Sequence, residues 1–280
     1  MSARHGPVEV AGLLRAAGCV WAEEEAALLT GAAGSPAQLD DLVARRVAGE
    51  PLELVLGWVE FLGRRLVVAP GVFVPRRRTE LLARTTLAEV AARAAPRGGG
   101  ALVVVEMCSG VAPVAACLET DVGARVGARV GAGTEVHAAD LSRAALACAR
   151  QNAPGAALHL GDLYDALPRD LAGRIDVVAA NAPYVPSDAV ARMPPEARDH
   201  EPREALDGGP DGVDVHRRLA AGAPAWLAPD GVLLIETSPA QAALTTAAME
   251  RAGLAAHVVV DEEIGGCVAV GVSPGGAERG

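Results

Sequence analysis

From residue 101 onward the chain reads strand, helix, strand, helix, and no other feature limits its fold as strongly. Short apolar runs occupy 102–105, 136–139, 157–160, 175–180 and 232–235. The first four lead into loops that carry Glu106, Asp140, Gly161 and Asn181. Helical stretches separate them, such as the one that Ser142 caps and that runs through Arg150. Alternation of this kind argues for a mostly parallel sheet with helices on both faces. Two final runs, 258–260 and 267–270, lie close enough for an antiparallel hairpin across Gly265-Gly266. A chain of 280 residues suits one large α/β domain with a small appendage.

The appendage is N-terminal. Residues 1–60 read as helical, with Val10, Leu13, Leu14 and Ala17 at helical spacing. Ser35 caps a further helix, with Pro36 at its first position and Gln38 completing a capping box. Leu39, Leu42, Val43 and Val47 follow its apolar face, and Gly49 stops it. The stretch 58–74 alternates and is punctuated by Gly63 and Gly71, which predicts a short hairpin. Thr79 is placed to cap a helix that runs to about residue 95. The expected boundaries are therefore a helical domain over 1–60, a hairpin and linker over 61–78, and the α/β domain over 79–280. A tandem Val-Gly-Ala-Arg repeat in 122–133 reads as a surface loop without chemistry.

Composition removes several functions. All 25 basic residues are arginine, so lysine Schiff bases and a Walker-type phosphate lysine are excluded. A net charge of −10 disfavours wholesale binding to nucleic-acid phosphates. The cysteines Cys19, Cys108, Cys117, Cys148 and Cys267 form no C-x-x-C pair and read as reduced thiols. With no apolar h-region in 1–10 and no apolar stretch of about 18 residues, the expectation is a cytoplasmic protein with no membrane span. The histidines lack metal-ligand spacing, and Asp199-His200-Glu201 reads as a solvated loop, so no metal is expected.

The loops that leave the strands carry the chemistry. In open α/β sheets, nucleotide-like ligands bind at the carboxyl ends of the strands. The first such loop is Glu106-Met107-Cys108-Ser109-Gly110-Val111-Ala112, in which Gly110 permits close backbone approach and the following helix offers its N-terminus. Asp140, followed by Leu141-Ser142, can accept both hydroxyls of a ribose. Asp162 can take an adenine amino group while Leu163 packs on the ring. Asn181-Ala182-Pro183-Tyr184 then combines a side-chain amide, a backbone carbonyl and an aromatic face. Those three features suit an acceptor with two N–H groups and a flat surface.

In this order the motifs resemble the HemK-type release factor glutamine N5-methyltransferases. The resemblance extends to 49–61, to Val72-Phe73-Val74-Pro75-Arg76 with Thr79-Glu80, and to the segment from Glu201 to Gly209. It implies a class I S-adenosylmethionine-dependent methyltransferase: a Rossmann-like, seven-stranded, mostly parallel sheet with a small N-terminal helical domain. It further implies methyl transfer to the glutamine of Gly-Gly-Gln in a peptide chain release factor. Asn181, Ala182, Pro183 and Tyr184 would hold the glutamine, with Phe73 as a second wall. Glu106, Cys108, Ser109, Gly110, Val111, Ala112, Asp140, Leu141, Asp162, Leu163 and Asn181 would line the cofactor.

Three departures set the chain apart from the family pattern. Ala182 replaces a proline, which frees Asn181 from a restraint on its backbone. Glu106 replaces an aspartate, and Ala112 replaces a glycine, where a methyl group could crowd the cofactor. Arg77-Arg78 stand where the family more often has a proline and an acid. Together they suggest a divergent paralogue. An adenine N6-methyltransferase acting on a flipped base can use the same Asn-x-Pro-Tyr device. A catalytically decayed cofactor-binding paralogue is the other alternative.

Overall fold

The computed structural model describes residues 6–94, 101–119 and 133–275. The Val-Gly-Ala-Arg repeat and the Gly-rich end of the helix after Thr79 lie outside the described residues. Four helices open the chain: α1 (Pro7–Ala16), α2 (Ala22–Ala32), α3 (Pro36–Val47) and α4 (Leu52–Leu56). Ser35 caps α3 by accepting from the Gln38 amide, as its spacing predicts. The Gln38 side chain, however, reaches past the cap residue to the Gly34 amide at 2.8 Å. Val10, Leu14, Leu29 and Leu42 bury into a separate small core of this helical unit.

Gly57 takes a left-handed conformation (φ 78°) that ends α4 and turns the chain into the hairpin β1 (Trp58–Phe61) and β2 (Arg64–Val67). Leu62 and Gly63 form its turn, both at positive φ (48° and 73°). Phe61 and Leu66 point into the core of the large sheet. Asn152 fastens the hairpin, accepting from the Val67 amide at 2.7 Å and donating to the Val67 carbonyl at 3.0 Å. The hairpin therefore packs with the sheet domain, and a truncation that spares that core begins at Gly57.

The main sheet contains β3 (Leu102–Met107), β4 (Thr134–Asp140), β5 (Ala157–Leu160), β6 (Ile175–Ala180), β7 (Leu227–Glu236), β8 (Ala255–Asp261) and β9 (Gly266–Val272). Their order is β5-β4-β3-β6-β7-β9-β8, with β9 antiparallel to both its neighbours and the remaining pairs parallel. The chain builds β3, β4 and β5 outward, then returns past β3 to place β6, so the switch point lies between β3 and β6. Every residue of β3 and β6 is buried, as a parallel strand covered on both faces requires. Val104, Val177 and Ala179 face one core with α5 (Glu80–Ala94), α6 (Pro113–Leu118) and α7 (Arg143–Asn152). Val103, Val105, Val178 and Ala180 face the other.

Two polar ties hold the rest in place. Arg46, buried in the helical unit, bonds Glu25 at 2.7 Å and reaches Glu196 of α8 (Pro195–His200), also at 2.7 Å. Breaking such a buried pair costs about 3–5 kcal/mol. The expected solvated loop at 199–201 is corrected at Glu201, which is buried and accepts from Arg76 at 2.5 Å. No His/Cys/Asp/Glu cluster suited to a metal occurs among the described residues. No described helix is long and apolar enough to cross a membrane.

Candidate functional site

A single cleft crosses the carboxyl ends of β3, β4, β5 and β6, over the switch point. Cys108, Ser109, Gly110, Val111, Asp140, Leu141, Asp162 and Leu163 line one part of it. Asn181, Ala182, Pro183, Tyr184 and Phe73 line the other. The strand-end loops thus converge because their strands run parallel and end together.

At the first part, Asp140 joins two loops. One carboxylate oxygen accepts from the Gly110 amide at 2.7 Å, the other from the Ser142 amide at 2.8 Å. Burial pushes its pKa up, and those same amides pull it back. The Leu141 amide adds a third pull, and the carboxylate lines the cleft. Gly110, at φ 52°, has nothing within 4 Å of where a Cβ would sit, so its bare backbone borders open space. Ser109 Oγ is buried without a partner among the described residues. A ribose-bearing ligand with polar groups suits this cradle, so the residues present fit S-adenosylmethionine. Asp140→Ala is expected to weaken its binding by at least about 1.5 kcal/mol, the scale of a lost charge-assisted bond; unchanged affinity by calorimetry in a folded variant places the ribose elsewhere.

Two expectations for this loop change. The helix N-terminus is not open to a ligand, because Glu106 fills it, accepting from the Val114 and Ala115 amides at 3.1 and 2.7 Å. Burial pushes the Glu106 carboxyl up to about 8 against the pull of those amides. A proton is then held by the native state and not by the unfolded chain between about 4.5 and 8, so this group's contribution to stability falls as pH rises through that window. A cationic ligand in the cleft favours the ionised form. Cofactor affinity should therefore rise with pH up to about 8, with proton release visible by calorimetry in buffers of different ionisation enthalpy.

Ala112 is the second correction, because it does not line the cleft. Its methyl is buried in the core with Val104 and Ala138, while its backbone is left-handed at φ 59°. That strain is about 1–2 kcal/mol. Burying one methyl returns about 0.8 kcal/mol, and the lower unfolded-state entropy of alanine about 0.5–1 kcal/mol. The substitution is thus nearly neutral. Ala112→Gly should leave cofactor affinity within about twofold and stability within about 1 kcal/mol, on the balance of these magnitudes.

Cys108 also takes a positive φ (50°), and burial pushes its thiol up to about 12, which makes it an inert wall. Asp162 is not a free acid: Arg218, from α9 (Asp214–Trp226), donates to it at 2.7 Å. Any adenine contact must use its remaining lone pairs. Leu163 stands at φ 47° beside it on the cleft wall.

At the second part, the loop after β6 is clamped from behind. Val185 and the segment 206–208 form a short bridge, with the Val185 amide donating to the Leu206 carbonyl and the Gly208 amide to the Val185 carbonyl, both at 2.9 Å. Gln241 donates to the Tyr184 carbonyl at 2.8 Å and the Asp211 carbonyl at 3.0 Å. A Cβ on Gly208 would stand 2.6 Å from the Pro183 carbonyl oxygen, so two backbones touch there. The family-like segment from Glu201 to Gly209 is therefore the support of the Asn181 loop.

The front of that loop is a polar network. Asn181 Nδ2 donates to Thr79 Oγ1 at 3.4 Å, and the Tyr184 hydroxyl donates to Glu236 at 3.2 Å. Arg78 donates through Nε to the same Glu236 oxygen at 3.3 Å and lies 5.6 Å from the Tyr184 ring centroid. Thr79 is therefore turned into the site and does not cap α5. Behind Ala182, buried His216 bonds Thr245 at 2.9 Å through Nδ1. Its other ring nitrogen faces the Ala182 backbone without a bond of normal geometry. Burial brings its pKa down to about 4, so the imidazole is neutral.

Sequence reasoning assigned no role to Arg78, Glu236, Gln241 or Arg218, and read Thr79 only as a helix cap. Glu236 carries the signal that marked Glu106 and Asp140, an acid closing an apolar strand. The others come from helices and loops whose partners lie far along the chain.

No protein-family model matches the chain. Individual proteins do. A release factor glutamine methyltransferase of Bordetella pertussis is 38% identical over 217 residues, covering 76% of this chain and 74% of its own. One of Streptomyces coelicolor is 37% identical over 203 residues, covering 72% and 67%. A 4-amino-L-phenylalanine/4-methylamino-L-phenylalanine methyltransferase of Streptomyces pristinaespiralis is 36% identical over 217 residues, covering 77% and 70%. The crystal structure of a methyltransferase from Pyrococcus furiosus shares the fold, with a TM-score of 0.52 at 14% identity over 76% of this chain and 90% of that chain. The chain belongs to the release factor glutamine methyltransferase family and is an S-adenosylmethionine-dependent methyltransferase of the class I fold.

Proposed function

We propose that the chain methylates the side-chain amide nitrogen (N5) of a glutamine, in the Gly-Gly-Gln motif of a peptide chain release factor. The orientation of Asn181 carries this reading: with Nδ2 engaged by Thr79, its Oδ1 is left as an acceptor toward the cleft. The Ala182 carbonyl is the second acceptor: it receives no main-chain hydrogen bond among the described residues, and the His216 ring nitrogen approaches it from behind. A glutamine amide is a poor nucleophile because its lone pair is delocalised into the carbonyl. Holding both N–H groups fixes the nitrogen toward the attacking direction, and such positioning is worth up to about 7–11 kcal/mol. Tyr184 and Phe73 flank the acceptor and exclude water. When bound, the cofactor supplies an electrophilic methyl group on a sulfonium. No strong base is needed beforehand, since the methylated amide loses its proton readily.

The helical part of residues 1–60, up to Leu56, is assigned to recognition of the acceptor protein. This helical unit has its own core and leaves Val20 and Trp21 exposed, at 82% and 67%. A chain that starts at Gly57 should keep cofactor binding and lose activity on a folded release factor.

Mass spectrometry of a release factor incubated with enzyme and cofactor tests the acceptor. A gain of one methyl on the Gly-Gly-Gln glutamine is the expected result. Transfer to 4-amino-L-phenylalanine and none to the release factor would move the chain to the chemistry of its Streptomyces pristinaespiralis relative.

A further inference from the structure

We propose that Arg78 selects an acceptor that carries a carboxylate in the same peptide or amino acid as the nitrogen that is methylated. The inference rests on the Asn181 loop being the acceptor site. Three arginines line the cleft, and two are committed to acids by short pairs: Arg76 to Glu201 at 2.5 Å and Arg218 to Asp162 at 2.7 Å. Arg78 differs from both. Only its Nε engages Glu236, at 3.3 Å, and its side chain remains 45% exposed. Its terminal nitrogens make no hydrogen bond to a carboxylate among the described residues.

Location decides what those nitrogens meet. Arg78 lies over Tyr184, in the polar network that holds Asn181. Glu236 is buried behind the tyrosine, and Glu201 is paired with Arg76, so neither neutralises this corner from the cleft side. A planar guanidinium held through Nε still presents its two terminal nitrogens end-on, and that pair is a bidentate receptor for a carboxylate. It also carries the charge opposite to the acid of the family pattern. The acceptor end of this cleft is thus built for an anionic neighbour. That carboxylate has two sources: an acidic residue beside the glutamine of a polypeptide, or the α-carboxylate of a free amino acid.

The test is a titration that does not depend on turnover. Enzyme saturated with S-adenosylhomocysteine is titrated with two acceptor pairs. One pair is a Gly-Gly-Gln peptide with a neighbouring glutamate, and the same peptide with glutamine there. The other pair is 4-amino-L-phenylalanine and its carboxamide. In at least one pair the carboxylate form should bind at least about tenfold more tightly, the scale of one bidentate charge-assisted contact. Arg78→Gln should bring that ratio to about one and Arg78→Lys should restore part of it, since lysine keeps the charge but loses the fork. The pair that responds identifies the source. Ratios near one in both pairs for the parent, or ratios unchanged by Arg78→Gln in a folded protein, overturn the proposal. So does a variant in which only cofactor affinity falls, because Arg78 would then serve the cofactor. A failure of the glutamine reading is separate: the amino-acid pair responds while neither peptide binds.

Discussion

Replacing Asn181 with alanine is expected to lower single-turnover methyl transfer by at least about a hundredfold, the scale of one lost transition-state hydrogen-bond partner. Two separate losses contribute. The acceptor loses the Oδ1 that holds one N–H, and Thr79 loses the amide it now orients at 3.4 Å. Cofactor affinity should change little, because the Asp140 cradle, with Gly110 and Ser142, belongs to other strands. Ala182→Pro provides the matched control. It leaves the carbonyl in place and restrains Asn181 toward extended geometry, so transfer should be equal or faster. Equal rates for Asn181→Ala and the parent, with both shown folded by thermal melt, would make the loop structural and remove the proposed mechanism.

Gly208→Ala should produce a loss of similar size without replacing any side chain in the cleft. The new Cβ would stand 2.5 Å from the Gly212 carbonyl oxygen and 2.6 Å from that of Pro183. Both are backbone atoms, so the loop or its support must move. Overpacking of this kind costs about 1–3 kcal/mol in stability. A displacement of about 1 Å at the acceptor carbonyl is enough for a loss of about a hundredfold in rate. The diagnostic pattern is a fall in kcat for the acceptor with unchanged cofactor affinity by calorimetry. A folded Gly208→Ala protein with the parent's kcat would show that the Glu201–Gly209 segment does not position the Asn181 loop.

The sequence by itself determined the sheet. Apolar runs such as 175–180 can bury both faces only inside a parallel sheet, so β6 (Ile175–Ala180) follows from a local rule. The strand-end residues followed in turn, since a parallel strand that ends in Asp140 or Asn181 presents that residue at the carboxyl edge. Ser35 and Ser142 capped their helices as read, because a cap needs only the amides three residues away. Positive backbone angles at Cys108, Ala112 and Leu163 were not legible, because local preference argues against them.

Tertiary structure decided how each of those residues is used. Glu106 reads as a ligand contact and does line the cleft, but the turn at Ala112 also brings the first amides of α6 onto its carboxylate. Thr79 reads as a helix cap, but it is turned toward Asn181, 102 positions along the chain. Asp162 reads as free and is held by Arg218, and Glu201 reads as solvated and is buried against Arg76. In the last three cases the deciding partner is distant in sequence. A buried polar group must find such a partner or leave its desolvation uncompensated, and only the packed chain determines which one lies within reach.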